Sequence, residues 1–139
     1  MRVLVFYLLL IQSLISGPVK FGNDQIIIML KEYFISSKTA PLLMGHQFYS
    51  DRDKMIFQIE IKTNPENVNN ALLFGFKAIN DLAAVSKVNF NHSILVIHFN
   101  NNALPVIAES NLECSRFYFL DGKENEAQWR KNCLTIQNY

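Results

Sequence analysis

Three histidines and a few carboxylates are the residues of this sequence that could carry acid–base or metal chemistry. His46 precedes Asp51 and Asp53, a combination that could supply a hydrolase with a base and an orienting carboxylate. His92 and His98 are six residues apart, so on a strand they share a face but lie ~20 Å apart, too far to share a metal ion. The G-x-S-x-G, H-E-x-x-H and glycine-rich phosphate-binding motifs are all missing from the sequence. We therefore predict no catalytic, cofactor-binding or metal site, and no enzyme.

The N-terminal segment has the layout of an export signal. Arg2 and the free amino terminus supply positive charge ahead of a continuous apolar run. The run consists of Val3, Leu4, Val5, Phe6, Tyr7, Leu8, Leu9, Leu10 and Ile11. A buried N-terminal element of a cytosolic protein is the alternative, but so apolar a run behind an arginine favours export.

Poor cleavage sites favour a membrane anchor over a removed signal peptide. Cutting after Gly17 or Ser16 places Ile15 or Leu14 at the −3 position, where cleavage needs a small residue. The segment is also close to the length that crosses a bilayer as a helix. The sequence therefore predicts an anchor over residues 1–19 and an exported domain over residues 20–139.

Composition limits the exported part to one folded domain. The chain has 139 residues, of which 50% are hydrophobic and 12% aromatic, and this excludes a disordered chain. The net charge is +1 and no basic stripe is present, so a nucleic-acid-binding surface is not predicted. The many phenylalanines are expected mainly in the core, with an apolar pocket as the alternative.

Two cysteines agree with export. Cys114 and Cys133 are the only cysteines, and an even pair in an exported domain favours one disulfide. Such a bond would contribute ~3 kcal/mol in the chain-entropy model. Two buried free thiols are the alternative. A metal site is less favoured than either, because no histidine lies near the pair at ligand spacing.

Hydrophobic periodicity predicts an α+β fold, with the N-terminal membrane helix followed by an antiparallel sheet and packed helices. Residues 55–62 alternate between apolar and polar side chains, so they form a half-buried strand whose hairpin partner is 46–54, after a connector at 39–45. Residues 92–99 are apolar on both sides and predict a central strand. Residues 103–108 predict an edge strand because of Pro105.

Four helices complete the predicted domain. The first covers 24–36 with Asn23 or Asp24 as its cap, and the second begins at Pro65 and runs to about Val85. The last covers 124–134. Residues 111–120 are ambiguous: a capping box from Ser110 to Glu113 favours a helix, whereas Phe117-Tyr118-Phe119 followed by Asp121-Gly122 favours a strand and hairpin. We prefer the helix.

The whole-chain layout resembles a known group of proteins. The apolar stretch VLVFYLLLIQSLISG precedes one compact domain with a cysteine pair, Cys114 and Cys133, in its last third. This is similar to the toxin-coregulated-pilus regulatory proteins of the TcpH type, which are small periplasmic partners of membrane-bound virulence activators. ToxS and VtrC are more distant functional relatives. In this group the cysteine pair matches by position, and no ligand residue can be assigned because no motif marks one.

The resemblance implies a location and a partner. The domain would lie in the periplasm, held by a single-pass anchor in the inner membrane. It would bind a TcpP- or ToxR-like single-pass transcriptional activator through the activator's periplasmic domain and protect it from proteolysis. A fatty acid or bile salt is the small ligand that the resemblance implies.

Two other function classes remain open. A periplasmic inhibitor or immunity protein that neutralises a toxic enzyme suits the small size and the single cysteine pair; a cleaved leader and a charged docking face would favour it. A hydrolase with dispersed catalytic residues is the other, with His46 and Asp51 or Asp53 as the first residues to test.

Overall fold

The computed structural model describes residues 19–138, and the predicted anchor residues Val3–Ile11 lie outside them. The described chain is α+β, as predicted, with four α-helices and one five-stranded sheet. The helices are α1 (Asn23–Ile35), α2 (Val68–Ala84, preceded by a 3₁₀ turn at Pro65–Asn67), α3 (Leu112–Phe119) and α4 (Glu126–Asn132). The strands are β1 (Leu42–Asp51), β2 (Lys54–Thr63), β3 (His92–Phe99), β4 (Val106–Asn111) and β5 (Leu134–Asn138).

The sheet is mixed, so the prediction of a purely antiparallel sheet was wrong. Its strand order is β1-β2-β3-β4-β5, and β2 and β3 run parallel while the other three pairs are antiparallel. The reason is the predicted helix that begins at Pro65. It carries the chain from the end of β2 back to the starting end of the sheet, so β3 begins beside the beginning of β2.

The helices pack on one face of this sheet. The core joins Phe57, Ile59 and Ile61 of β2 and Leu95 and Ile97 of β3 to apolar side chains of the helices. Glycine at position 75 lets α2 approach β3 closely, because a Cβ atom there would lie 2.7 Å from Leu95 Cδ1. The opposite face of the sheet carries no helix in the described chain.

The β1–β2 hairpin confirms the predicted pairing, but β1 is longer than predicted. Arg52 adopts a positive φ of 58° in the turn between Asp51 and Lys54. The strand begins at Leu42, within the segment predicted as a connector, and a bulge interrupts its register between Leu43 and Gly45. Pro41 lies just before the first residue of β1 and therefore does not prevent pairing. Strand β2 is long enough to pair with β1 as far as Lys62.

Helix α1 confirms the predicted element and corrects its cap. Gly22 occupies the N-cap position, and neither Asn23 nor Asp24 caps the helix. The helix buries Ile26, Leu30 and Phe34 against the core. Tyr33 and Phe34 also pack edge-on against Phe74 of α2, and hydrogen bonds add to this contact.

Two sets of hydrogen bonds attach α1 and the residues before it to α2 and the residues after it. The Tyr33 hydroxyl donates to Asp81 Oδ2 at 3.0 Å. Ahead of the helix, Phe21 N–H donates to the Val85 carbonyl at 2.7 Å, and Lys87 N–H donates to the Phe21 carbonyl at the same distance.

The C-terminal third resolves the ambiguous segment as a helix. Asn111 caps α3 by accepting a bond from the Cys114 N–H at 3.2 Å, so the predicted capping box from Ser110 to Glu113 was wrong. Ser110 cannot serve because its side chain is buried and bonded to Ser115.

The predicted last helix is shorter than expected, and the chain continues as a strand. Helix α4 ends at Asn132, and β5 then pairs antiparallel with β4. The predicted edge strand at 103–108 is therefore an interior strand that begins at Val106, and β1 and β5 form the two edges. Pro105 lies just before β4, where it removes no ladder hydrogen bond.

A C-terminal cluster of buried and partly buried aromatic and serine side chains holds α3 and α4 against the sheet. Its members are Phe76, Ser110, Ser115, Tyr118, Phe119 and Trp129. Trp129 is fully buried, packs edge-on against Phe76 at 5.5 Å between ring centroids, and donates its Nε1–H to Ser115 Oγ at 2.9 Å. Ser115 is in turn bonded to Ser110. The indole N–H, which is the polar group of the Trp129 side chain, therefore has a hydrogen-bond partner in the core.

Candidate functional site

An apolar groove lies between the end of α1 and the beginning of β1, and we call it the β1 groove. Its volume is about 590 Å³, within the range of small-molecule sites. It is lined by Lys31, Phe34, Ile35, Pro41, Leu42, Leu43, Met44, Gly45 and His46. The lining therefore consists mainly of apolar side chains, and its two polar side chains are those of Lys31 and His46.

Three large apolar side chains of the β1 groove face solvent. Ile35 is 84% exposed, Leu42 64% and Met44 51%. Single exposed apolar residues are ordinary, but a contiguous group beside a concave surface is typical of an interaction site. Their clustering marks this end of the domain as the candidate site.

The local backbone explains why these side chains remain uncovered. Helix α1 stops at Ile35, and the segment from Ser36 to Pro41 turns the chain into β1 without covering it. Among the strands within residues 19–138, β1 has only β2 as a neighbour, so no strand of the described chain pairs with its outer edge. The bulge leaves Met44 without a partner residue across the ladder. An edge strand with apolar flanks can accept an added strand from another chain.

The lining of the β1 groove includes one charged side chain. It is the exposed ammonium group of Lys31. The lining contains no aspartate or glutamate. The groove is therefore suited to apolar groups accompanied by a negative charge.

The predicted cysteine pair is brought together. The sulfur atoms of Cys114 and Cys133 lie at bonding distance, and their Cα atoms are 5.7 Å apart. Cys114 belongs to α3 and Cys133 follows α4, so the pair joins two helices at the C-terminal cluster. The pair lies in a different part of the domain from the β1 groove, and it connects structural elements without lining that groove.

The residues considered for a hydrolase are not brought together. His46 and Asp51 are five residues apart on β1, which places them on opposite faces and ~16 Å apart. Asp53 lies in the hairpin turn beyond Asp51. The His46 ring lies next to Phe48, with centroids 5.8 Å apart, and its strand partner is Ile59. Its surroundings are thus aromatic and aliphatic.

His92 and His98 lie on the helix-free face of the sheet, at opposite ends of β3. Burial lowers the pKa of His92, and Lys54 lowers it further, while Glu109 acts in the opposite direction. His98 Nε2 lies 3.9 Å from Glu60 Oε1. Across residues 19–138, no group of three His, Cys, Asp or Glu side chains is arranged to hold a metal ion.

The sequence prediction missed the groove residues. Leu42, Leu43 and Met44 are three consecutive apolar residues in a segment predicted as a connector, and Ile35 is the next-to-last residue of the first predicted helix. An uninterrupted apolar trio next to a proline was the available signal. Its meaning depended on knowing that β1 is an edge strand.

No family model, curated protein or solved structure matches this chain. None of the helices within residues 19–138 has the length and apolar character that crossing a bilayer requires.

Proposed function

We propose that this protein is a membrane-anchored periplasmic accessory protein without catalytic activity. It binds the periplasmic domain of a single-pass transcriptional activator of virulence genes and stabilises that partner against proteolysis. The observation that carries the proposal is the group of exposed apolar side chains, Ile35, Leu42 and Met44, beside the unpaired edge of β1. The apolar N-terminal sequence and the cysteine pair support an exported location.

The geometry of this end of the domain suits a protein partner. An extended segment of the partner can pair with the free backbone groups of β1, and its side chains can bury the exposed apolar groups beside it. Interfaces draw most of their affinity from a few such buried anchors. Tethering both proteins in one membrane would raise their effective concentration for each other.

Protection from proteolysis follows from mass action. A protein that binds only the folded form of its partner lowers the population of the unfolded, cleavable form. No catalytic group is needed for this effect.

A fatty acid or bile salt is the small ligand of this proposal, and the β1 groove is its proposed site. The apolar walls suit a hydrocarbon skeleton, and Lys31 suits a carboxylate or sulfonate at one end. Occupation of the groove would change the surface that the partner contacts. A ligand of this kind would thereby regulate the complex.

The first experiment is crosslinking of the full-length protein in membranes, followed by co-purification and mass spectrometry of both the protein and its companions. We expect residues 1–17 to be still attached and a single-pass activator to be captured. A mature chain beginning near Pro18, with a soluble toxic enzyme as the companion, would favour the inhibitor or immunity protein. A mature chain with no companion would contradict the proposed partnership.

Variants locate the contact. Ile35→Glu combined with Met44→Glu places two charges at the exposed apolar surface and should abolish capture. Leu104→Glu is the matched control, because Leu104 is also 64% exposed but lies in the segment before β4. Equal capture by both variants would exclude the β1 groove as the interface.

A further inference from the structure

A second cavity, which we call the polar cleft, opens at the ends of β2 and β3. Its volume is about 740 Å³. These two strands are the parallel pair of the sheet, and both finish here, at Thr63 and Phe99. The segment Lys38–Leu42 forms the opposite wall. The polar cleft therefore lies at the carboxyl ends of the two parallel strands.

The side chains of the polar cleft are of a restricted chemical kind. They include the lysines 38 and 62, the threonines 39 and 63, and the asparagines 64, 67, 70 and 100. The lining has no aspartate or glutamate. Ammonium groups donate hydrogen bonds and carry positive charge, whereas amides and hydroxyls both donate and accept. The combination suits a ligand that is anionic and also hydroxylated.

Much of this bonding capacity is unused within the domain. The amides of Asn64 and Asn100 bond to each other and hold the ends of the two strands together. Across the described residues, the side chains of Asn67 and Asn70 make no hydrogen bond, and Lys38 and Lys62 form no ion pair. The cleft thus presents two positive charges and two amides to an incoming group.

We propose that the polar cleft binds the phosphate ester of a polyol, with Lys38 and Lys62 contacting the phosphate and Asn67 and Asn70 contacting the hydroxyls. Glycerol phosphate is the simplest ligand of this class. It occurs free, as a phosphate monoester, and as the headgroup of phosphatidylglycerol, where the phosphate is a diester; both sources present a phosphate anion beside two hydroxyl groups. The proposal is independent of the β1 groove and its partner, although the two cavities share Pro41 and Leu42.

Calorimetric titration of the full-length protein in detergent with glycerol 3-phosphate tests the soluble source, with inorganic phosphate and glycerol as separate probes. Co-sedimentation with phosphatidylglycerol vesicles, compared with phosphatidylcholine vesicles, tests the lipid source. We expect saturable binding from at least one source. Binding to neither glycerol 3-phosphate nor phosphatidylglycerol would overturn the proposal.

Variants assign the contacts. Lys38→Gln with Lys62→Gln should weaken binding by about tenfold or more, because charge-assisted hydrogen bonds are lost. Lys87→Gln with Lys123→Gln removes two exposed lysines elsewhere and should leave binding unchanged. Asn67→Ala with Asn70→Ala should weaken binding of glycerol 3-phosphate more than binding of inorganic phosphate. If both double-lysine variants lost the same amount of binding affinity, the attraction would be non-specific and the proposed site would be refuted.

Discussion

The C-terminal cluster and the β1 groove both place aromatic and aliphatic side chains beside a strand near the edge of the sheet. The two regions differ in how far these side chains are exposed to solvent. Around Trp129 the apolar surface is enclosed, the indole N–H has a partner in Ser115, and a cysteine pair joins the two covering helices. Around β1 the covering helix ends at Ile35, and this residue stays 84% exposed.

The C-terminal cluster is suited to stabilising the fold, whereas the β1 groove is suited to binding another molecule. Burial of apolar area and the hydrogen bonds that join Trp129, Ser115 and Ser110 make the C-terminal cluster contribute to the free energy of folding. Exposed apolar area at the β1 groove contributes little to folding, so it remains available for burial against another molecule. Substitutions in the two regions should therefore have opposite signatures.

Trp129→Ala should produce the largest loss of stability, because it empties the centre of the C-terminal cluster. We expect a decrease of ~3–5 kcal/mol in the free energy of unfolding, measured by urea titration with circular dichroism. Trp129→Phe, which keeps a ring but leaves Ser115 without its donor, should cost less and remain folded. Phe117→Ala is the control, because Phe117 lies in α3 but is 40% exposed. A similar loss for Trp129→Ala and Phe117→Ala would contradict the role given to the cluster.

Replacement of both cysteines by serine should cost about 3 kcal/mol, as expected for a closed loop of this length in the chain-entropy model. The two cysteines are 19 residues apart in sequence. Urea titration of the wild type with and without a reductant checks the same quantity. The reductant should reproduce the loss in the wild type and leave the double-serine variant unchanged. A wild type that is insensitive to reduction would show that the pair does not stabilise the domain.

Tyr33→Phe tests how firmly α1 is held beside the groove. Loss of the bond to Asp81 should lower the free energy of unfolding by ~1 kcal/mol at neutral pH. Burial, and then the bond to Asp81 and its charge, raise the pKa of the Tyr33 phenol. The unfolded phenol therefore loses its proton first as the pH rises.

The stabilisation from Tyr33 is accordingly complete below the unfolded pKa of about 10 and declines at higher pH. Chemical denaturation of both proteins between pH 7 and 11 should show the two stabilities converging under alkaline conditions. A constant difference over this range would mean that the phenol is not linked to Asp81 in the folded protein.

Ile35→Gln with Met44→Gln should have the smallest effect on stability, within about 0.5 kcal/mol of the wild type. Phe34→Ala is the matched comparison, because Phe34 is adjacent to Ile35 but only 6% exposed and packs edge-on against Phe74. Its loss should approach the several kcal/mol typical of buried aromatic residues. If the glutamine pair were as destabilising as Phe34→Ala, the β1 groove would be part of the core and not a free surface.

Local patterns predicted most elements because their causes lie within a few residues. The alternation at 55–62, the proline at 65 and the apolar stripe that follows it are recognisable without tertiary context. Strand β5 was missed because five residues after a helix carry little periodic signal. Its pairing with β4 depends on a neighbour 24 residues away in the register Ser110↔Leu134.

The candidate site was less predictable than the fold. Leu42 and Met44 read as ordinary apolar residues, and their exposure is a consequence of where α1 ends and of which strand forms the edge. The asparagines of the polar cleft come from the ends of two strands and from the turn of a helix. Such a grouping has no signature along the chain.

The sequence by itself determined the α+β class, the approximate places of four helices and the spacing of the cysteine pair, because these depend on local periodicity and composition. Tertiary structure alone decided that β2 and β3 run parallel and that β1 is an edge. It also decided that Trp129 meets Ser115 across 14 residues of chain. These features follow from packing one apolar face of a sheet under helices, a global arrangement in which each choice of neighbour depends on all the others.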